Sequence, residues 1–181
     1  KTLFGSKKLP AAAEAKSYGF YSKGCFSGGV AIATDGPTWQ AMRLSRNRRW
    51  GHPAMIKLLE KLSREGTQIG WPGLLIGDIS QPRGGPVAGH TSHQTGLDVD
   101  IWLLPPPRLD LSRAERERIS ANNVRSADQR AVNANWTPAH AALLRAAARD
   151  PAVERIFITP PAKLAMCAST PPQDRAWLRK V

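Results

Sequence analysis

Behind His52-Pro53, the apolar residues Met55, Ile56, Leu58, Leu59 and Leu62 recur at helical spacing. That pattern predicts a helix starting at Pro53, a residue favoured at the first helical position, with His52 as a structural start residue. Gly66 is expected to stop it. A second run opens at Thr137-Pro138, turns Leu143, Leu144 and Ala147 inward and ends at Asp150-Pro151. His140 falls in its first turn, as an exposed or core-packed helix histidine. Ser112-Arg113-Ala114-Glu115, after the break at Pro105-Pro106-Pro107, matches a helix capping box. Thr38 to Asn47 reads as a short helix, and Thr159-Pro160-Pro161 leads into another through Met166. Leu74 to Ile79, bounded by Pro72 and Pro82, is a short apolar run expected to be a central strand. Arg155 to Thr159 reads as a further strand, residues 1 to 30 as loop and short strand, and the polar stretch Asn122 to Asn135 as loop. Leu97 to Leu103 alternates like a half-buried strand, with Leu97, Val99 and Ile101 on one face and Asp98, Asp100 and Trp102 on the other. Strands separated by helices of unequal length, with no dinucleotide or phosphate-loop fingerprint, predict an α+β domain. Helices and long loops would flank a central antiparallel sheet.

The alternating segment carries the candidate chemistry. Ala88 to Trp102 gathers two of the four histidines, His90 and His93, and two of the fourteen acids, Asp98 and Asp100. Carboxylates at a strand's mouth beside imidazoles on an adjoining loop can converge on a cation, and neutral imidazole with carboxylate suits zinc. His93 and Asp100 lie seven residues apart and would face opposite ways along a strict strand, so a turn is required between them. Gly96 can supply it. Asp78, at the end of the neighbouring strand, reads either as a bond to a ligand imidazole or as a turn acid. Trp102 reads either as a substrate-groove aromatic or as a packed strand residue.

Ser92-His93-Gln94-Thr95-Gly96-Leu97-Asp98-Val99-Asp100 resembles the His-x6-Asp motif of the zinc peptidase group that includes lysostaphin, the D-alanyl-D-alanine metallopeptidases and the hedgehog domain. Within that group the chain is most similar to the penicillin-insensitive murein endopeptidase family. Gly24-Cys25, Arg48-Arg49-Trp50-Gly51-His52-Pro53, Leu75-Ile76-Gly77-Asp78, Gly89-His90, Arg155-Ile156-Phe157 and Asp174 to Val181 follow the family's segments in order, covering nearly the whole chain. The resemblance implies a hedgehog-like fold and a single zinc peptidase domain over residues 1–181. It implies a periplasmic location and hydrolysis of D-alanyl-meso-diaminopimelyl cross-links of peptidoglycan. His93 and Asp100 would be zinc ligands and His90 a possible further one, with Asp98 in the outer shell. The family's second motif, His-x-His, would supply the third ligand and the catalytic histidine, and it is expected after Val181. On that basis the zinc site is incomplete and residues 1–181 are expected to be inactive. In some members the equivalent of His90 sits near a second metal, but Ala131 stands where a histidine would be needed beside Asp128.

Composition sets the remaining bounds. At 181 residues the chain can bury about two-thirds or more of its unfolded surface without help from disulfides or metal. Lys and Arg number 26 against 14 acids, a net +12, and the basic residues are scattered rather than gathered in a tail. This favours a solvated basic surface over a nucleic-acid groove, and no nucleic-acid partner is expected; the charge suits encounter with an anionic wall polymer. No run of eighteen apolar residues is present, so no membrane span is expected. The first residues lack an apolar signal core and read as a mature terminus. Cys25 and Cys167 could pair or remain thiols; the resemblance implies that each pairs with a cysteine outside residues 1–181. Oligomeric state is left open, a dimer included. Two other functions compete: a non-catalytic basic binding protein for cell wall or nucleic acid, with salt-sensitive binding indifferent to chelators, and, last, a carboxylate-pair glycosidase using Asp98 and Asp100.

Overall fold

The structure is a computed structural model and describes residues 2–181. A short helix α1 (Thr2–Gly5) precedes the strands β1 (Lys16–Phe20), β2 (Lys23–Ser27), β3 (Val30–Ala31), β4 (Trp39–Ala41) and β5 (Trp50–Gly51). Helix α2 (Pro53–Gln68) and strand β6 (Leu74–Ile76) follow, then helices α3 (Arg113–Arg118), α4 (Pro138–Arg149) and α5 (Pro160–Ser169). Single 3₁₀ segments span Leu44–Arg46 and Pro172–Lys180.

The main core lies between α2, α4 and the β4/β6 pair. Met55, Leu59 and Leu62 present one face of α2 to Leu74, Ile76, Ile79 and Leu143, with Trp39 and Trp71 closing the cluster. Leu59 is fully buried, worth about 1.5–3 kcal/mol of transfer free energy. His52 caps α2, its Nδ1 accepting from the Ala54 amide at 3.2 Å, and Pro53 occupies the first helical position as expected. Gly66 does not end the helix. It lies within α2, buried, where the missing side chain leaves room for Leu74. The opposite face of α4 joins Leu144 and Ala148 to Met166 of α5 and to Trp177 and Leu178. The capping box of α3 forms in both directions between Ser112 and Glu115.

Four expectations about local structure are corrected. Instead of one central antiparallel sheet, the described residues form three two-stranded pairs: β1–β2 and β3–β5 antiparallel, β4–β6 parallel. Thr38 to Asn47 is not a helix, because Trp39–Ala41 pairs with β6 and only Leu44–Arg46 coils. Arg155 to Thr159 forms no strand; Ile156 N–H donates to the Lys180 carbonyl at 2.6 Å, and the Thr159 carbonyl accepts from the first turn of α5. Leu97 to Leu103 is likewise not a continuous strand. It runs antiparallel beside β6 and its extension through three hydrogen bonds, Gly77 to Asp100, Asp100 to Asp78 and Trp102 to Leu75. The alternation still reports its faces, since Val99 and Ile101 pack on the main core, whereas Leu97 is exposed. Cys25 and Cys167 are both free thiols in this structure. No helix among the described residues is long and apolar enough to cross a membrane.

Candidate metal centre

His93 and Asp100 are brought together as the motif requires. The turn is built by glycine at 96, with φ +70°, and by His93 itself, whose φ of +64° is unusual for a residue with a side chain. At Gly96 a Cβ would meet the His52 amide and the Phe26 ring at 3.0 Å, so bulk as well as backbone conformation restricts the position. The loop is pinned from both sides. The Gly96 carbonyl accepts from the His52 amide, and Gln94 bonds the Ser22 carbonyl and the Gly24 amide of the β1–β2 hairpin. Ser17 Oγ donates to the Thr95 carbonyl, and Gly84 (φ +68°) comes so close to the Gln94 carbonyl that no side chain would fit.

His93 is buried, and its two ring nitrogens have different surroundings. Nδ1 lies 3.0 Å from the Ile79 carbonyl and 3.0 Å from Asp98 Oδ2. Both are acceptors, so Nδ1 carries a proton and Nε2 is the nitrogen free to coordinate. Nε2 faces Asp100 Oδ1 at 3.3 Å. Asp98 Oδ2 also accepts the His93 amide at 2.7 Å, and Ser80 Oγ donates to the His93 carbonyl at 2.6 Å, so backbone and ring are fixed together. Burial disfavours a charged imidazole, yet the hydrogen bonds and charges of Asp100 and Asp98 outweigh it and raise the His93 pKa to about 10. In the metal-free state a proton therefore holds the place between His93 and Asp100, and a metal has to displace it.

His90 stands beside this pair. Its ring meets that of His93 edge-on at 5.3 Å between centroids, and His90, His93 and Asp100 each offer one ligand atom within 4.8 Å of the other two. No other group of three such residues occurs among the described residues. The donor set fits a divalent ion. Tetrahedral zinc with bonds of about 2.0–2.2 Å separates its ligand atoms by about 3.4 Å, close to the 3.3 Å between His93 Nε2 and Asp100 Oδ1. Asp98 Oδ1 is buried without a hydrogen-bond partner, so the carboxylate that orients His93 keeps unspent acceptor capacity inside the site.

Asp78 lies on the far side of His90. Its carboxylate is 2% exposed; Oδ2 accepts from Arg48 at 2.8 Å and Arg46 at 3.0 Å, and lies 3.9 Å from His90 Nε2. It is thus more than a turn acid, and it approaches His90 rather than His93. The two arginines were not singled out from the sequence, because they meet Asp78 across some thirty residues that no local pattern links. Ile79 O and Ser80 Oγ were missed for the same reason. Trp102 is buried against Met42, Leu75 and Leu111, with the Arg43 guanidinium over its ring. Asp128 closes a local turn with Ser126 and Arg130.

Two imidazoles and a carboxylate gathered on a cation-sized space, with a second carboxylate orienting one ring, define a candidate metallohydrolase centre. The family model of penicillin-insensitive murein endopeptidases matches residues 17–181, and the chain belongs to that family. It is 40% identical over 169 residues to the penicillin-insensitive murein endopeptidase of Haemophilus influenzae, covering 93% of this chain and 59% of that protein. The enzymes of that name from Klebsiella pneumoniae and Escherichia coli are each 38% identical over 174 residues, covering 95% of this chain and 63% of theirs. The chain therefore spans about three-fifths of the length of these curated relatives.

Proposed function

We propose that residues 1–181 are a zinc peptidase domain of the hedgehog and D-alanyl-D-alanine metallopeptidase type. Its protein would hydrolyse D-alanyl-meso-diaminopimelyl cross-links of peptidoglycan in the periplasm. The observation that carries this reading is the 3.3 Å approach of His93 Nε2 to Asp100 Oδ1, with His90 alongside and Asp98 behind the His93 ring. Family membership and the names of the relatives support the substrate class.

His93, Asp100 and His90 would hold the ion. When bound, zinc supplies Lewis-acid polarisation of the scissile carbonyl and brings the pKa of a water toward neutrality. Asp98 and the Ile79 carbonyl keep the His93 proton on Nδ1 and the ring fixed, so Nε2 needs no reorientation. Asp100, half exposed, stands at the solvent-facing side, where an extended peptide has access. Proton transfer is left without an assigned residue, because the His-x-His pair that the resemblance implies is not among residues 1–181. A net charge of +12 would favour encounter with an anionic wall.

The test is a digest of cross-linked muropeptide dimers by the full-length protein with zinc, with chelator, and with His93→Ala or Asp100→Ala. Mass spectrometry should show dimers converted to monomers only with zinc and the intact pair. Dimers left uncut by the zinc-loaded wild type refute the peptidase reading. Full activity in both variants refutes the site.

A further inference from the structure

Arg46 and Arg48 come from the segment leading into β5, and both donate to the same buried oxygen, Asp78 Oδ2. Each guanidinium carries five N–H donors, and these two spend only Nη1 on a side-chain partner. Neither guanidinium makes a further hydrogen bond among the described residues, and no Arg48 nitrogen is buried without a partner. Side-chain exposure is 43% for Arg46 and 18% for Arg48, so Arg46 is exposed and Arg48 is half-buried. Two permanently charged guanidiniums share one carboxylate, leaving the cluster with a surplus positive charge. It lies on the candidate metal centre, since the oxygen clamping both arginines is 3.9 Å from His90 Nε2.

A buried acid that fixes two partly exposed arginines supplies preorganised donors, because the side-chain entropy of ordering them is spent during folding. Planar, bidentate donors of this kind recognise carboxylates. We infer that Arg46 and Arg48, clamped by Asp78, seat a free carboxylate of the cross-linking peptide, the one on the diaminopimelyl carbon that carries the scissile nitrogen. This rests on the peptidase reading above. In a D-alanyl-meso-diaminopimelyl bond that carboxylate is one carbon from the nitrogen being released, so it accompanies the scissile amide into a site beside His90. The arginines are specificity-determining residues; they register the peptide and take no part in bond cleavage.

The probes are two synthetic acceptor stem peptides that differ only in whether this diaminopimelyl carboxylate is free or amidated, and the matching pair of cross-linked dimers. Calorimetric titration of chelator-treated full-length protein should show the free acid binding about tenfold or more tighter than the amide. In the zinc-loaded enzyme the same preference should appear mainly in KM. Arg46→Gln and Arg48→Gln should each erase most of the preference while the other arginine still pairs with Asp78, and Arg48→Lys should recover only part of it. A merely structural role would lower melting temperature or zinc affinity and leave the acid-to-amide ratio unchanged. Equal binding of acid and amide by wild type, or an unchanged ratio in both glutamine variants, overturns the assignment. If zinc-loaded protein cuts no dimer but the arginine-dependent preference persists, the peptidase reading fails and the carboxylate seat stands; cutting without preference has the opposite meaning.

Discussion

His93 and His140 are equally buried, 3% and 0% exposed, and they have been put to opposite uses. His140 sits in the first turn of α4 with every ring atom accounted for. Its Nδ1 accepts the Thr137 amide, Nε2 donates to the Leu103 carbonyl, and the ring stacks on Trp136 and meets Trp71 edge-on. Burial lowers its pKa, which keeps it neutral. His93 has carboxylates on both sides, and its Nε2 faces Asp100 rather than a saturating donor. Burial alone thus marks neither residue as functional. What distinguishes the site is a ring nitrogen directed at another potential ligand, with its counterpart nitrogen locked.

The strongest way to break that contrast is His140→Ala. The substitution opens a cavity between two tryptophans and orphans the Thr137 amide, so stability in urea denaturation should fall by about 3–4 kcal/mol. Zinc affinity should not change. A loss below about 1 kcal/mol would show that His140 is not the packed structural residue it looks like.

Asp98→Asn sharpens the other half. The amide can still accept from the His93 backbone but no longer holds the ring proton as an anion, and zinc affinity in competition with a chelating dye should drop about 10- to 100-fold. Unchanged affinity would reduce Asp98 to a turn acid.

Much of this contrast could be read from residue order. Pro53, Pro138 and the Ser112–Glu115 spacing located helix starts because capping is local, and it placed both His52 and His140 in structural positions. Of Asp98, Asp100 and Trp102, which the alternation at Leu97 to Leu103 puts on one face, the two acids both contact the His93 ring, and Gly96 has the left-handed backbone of a turn. The pairing of strands was not legible. Alternation reports which face is buried, not which partner a strand finds, and the strands form three small pairs instead of the single antiparallel sheet expected. Nor did any pattern reveal the clamp on Asp78 or the left-handed backbone at His93, both fixed by contacts distant in sequence.

Ser112→Ala tests whether a site far from both histidines is neutral to them. Removing the cap of α3 should cost about 1 kcal/mol, with zinc affinity unaltered. A change in zinc affinity would mean that the scaffold and the centre are coupled through Arg116, which reaches Thr34 from the same short helix.

The smallest expected effect separates the pH windows of the structural groups in chelator-treated protein. His140 has a folded pKa below its ordinary 6.5, so its contribution is complete above 6.5. As pH falls below that value the unfolded chain takes up a proton that the folded ring refuses, and stability declines through the folded pKa. Asp35 acts lower. The Arg116 and Gln40 side chains bonded to it depress its pKa from 3.8 to about 2, so its contribution is present above 3.8 and is lost as pH falls toward 2. Its carboxylate is 56% exposed, and solvent screening limits the effect to about 1 kcal/mol or less. His93, raised to about 10, contributes fully below 6.5 and loses its share on the alkaline side, leaving the acid windows clear. Urea midpoints measured from pH 8 to pH 2 should therefore lose the step below 6.5 in His140→Ala and part of the step below 4 in Asp35→Asn. If His140→Ala keeps the upper step, the proton refused on folding belongs to another group, and the neutral, saturated state assigned to His140 is wrong.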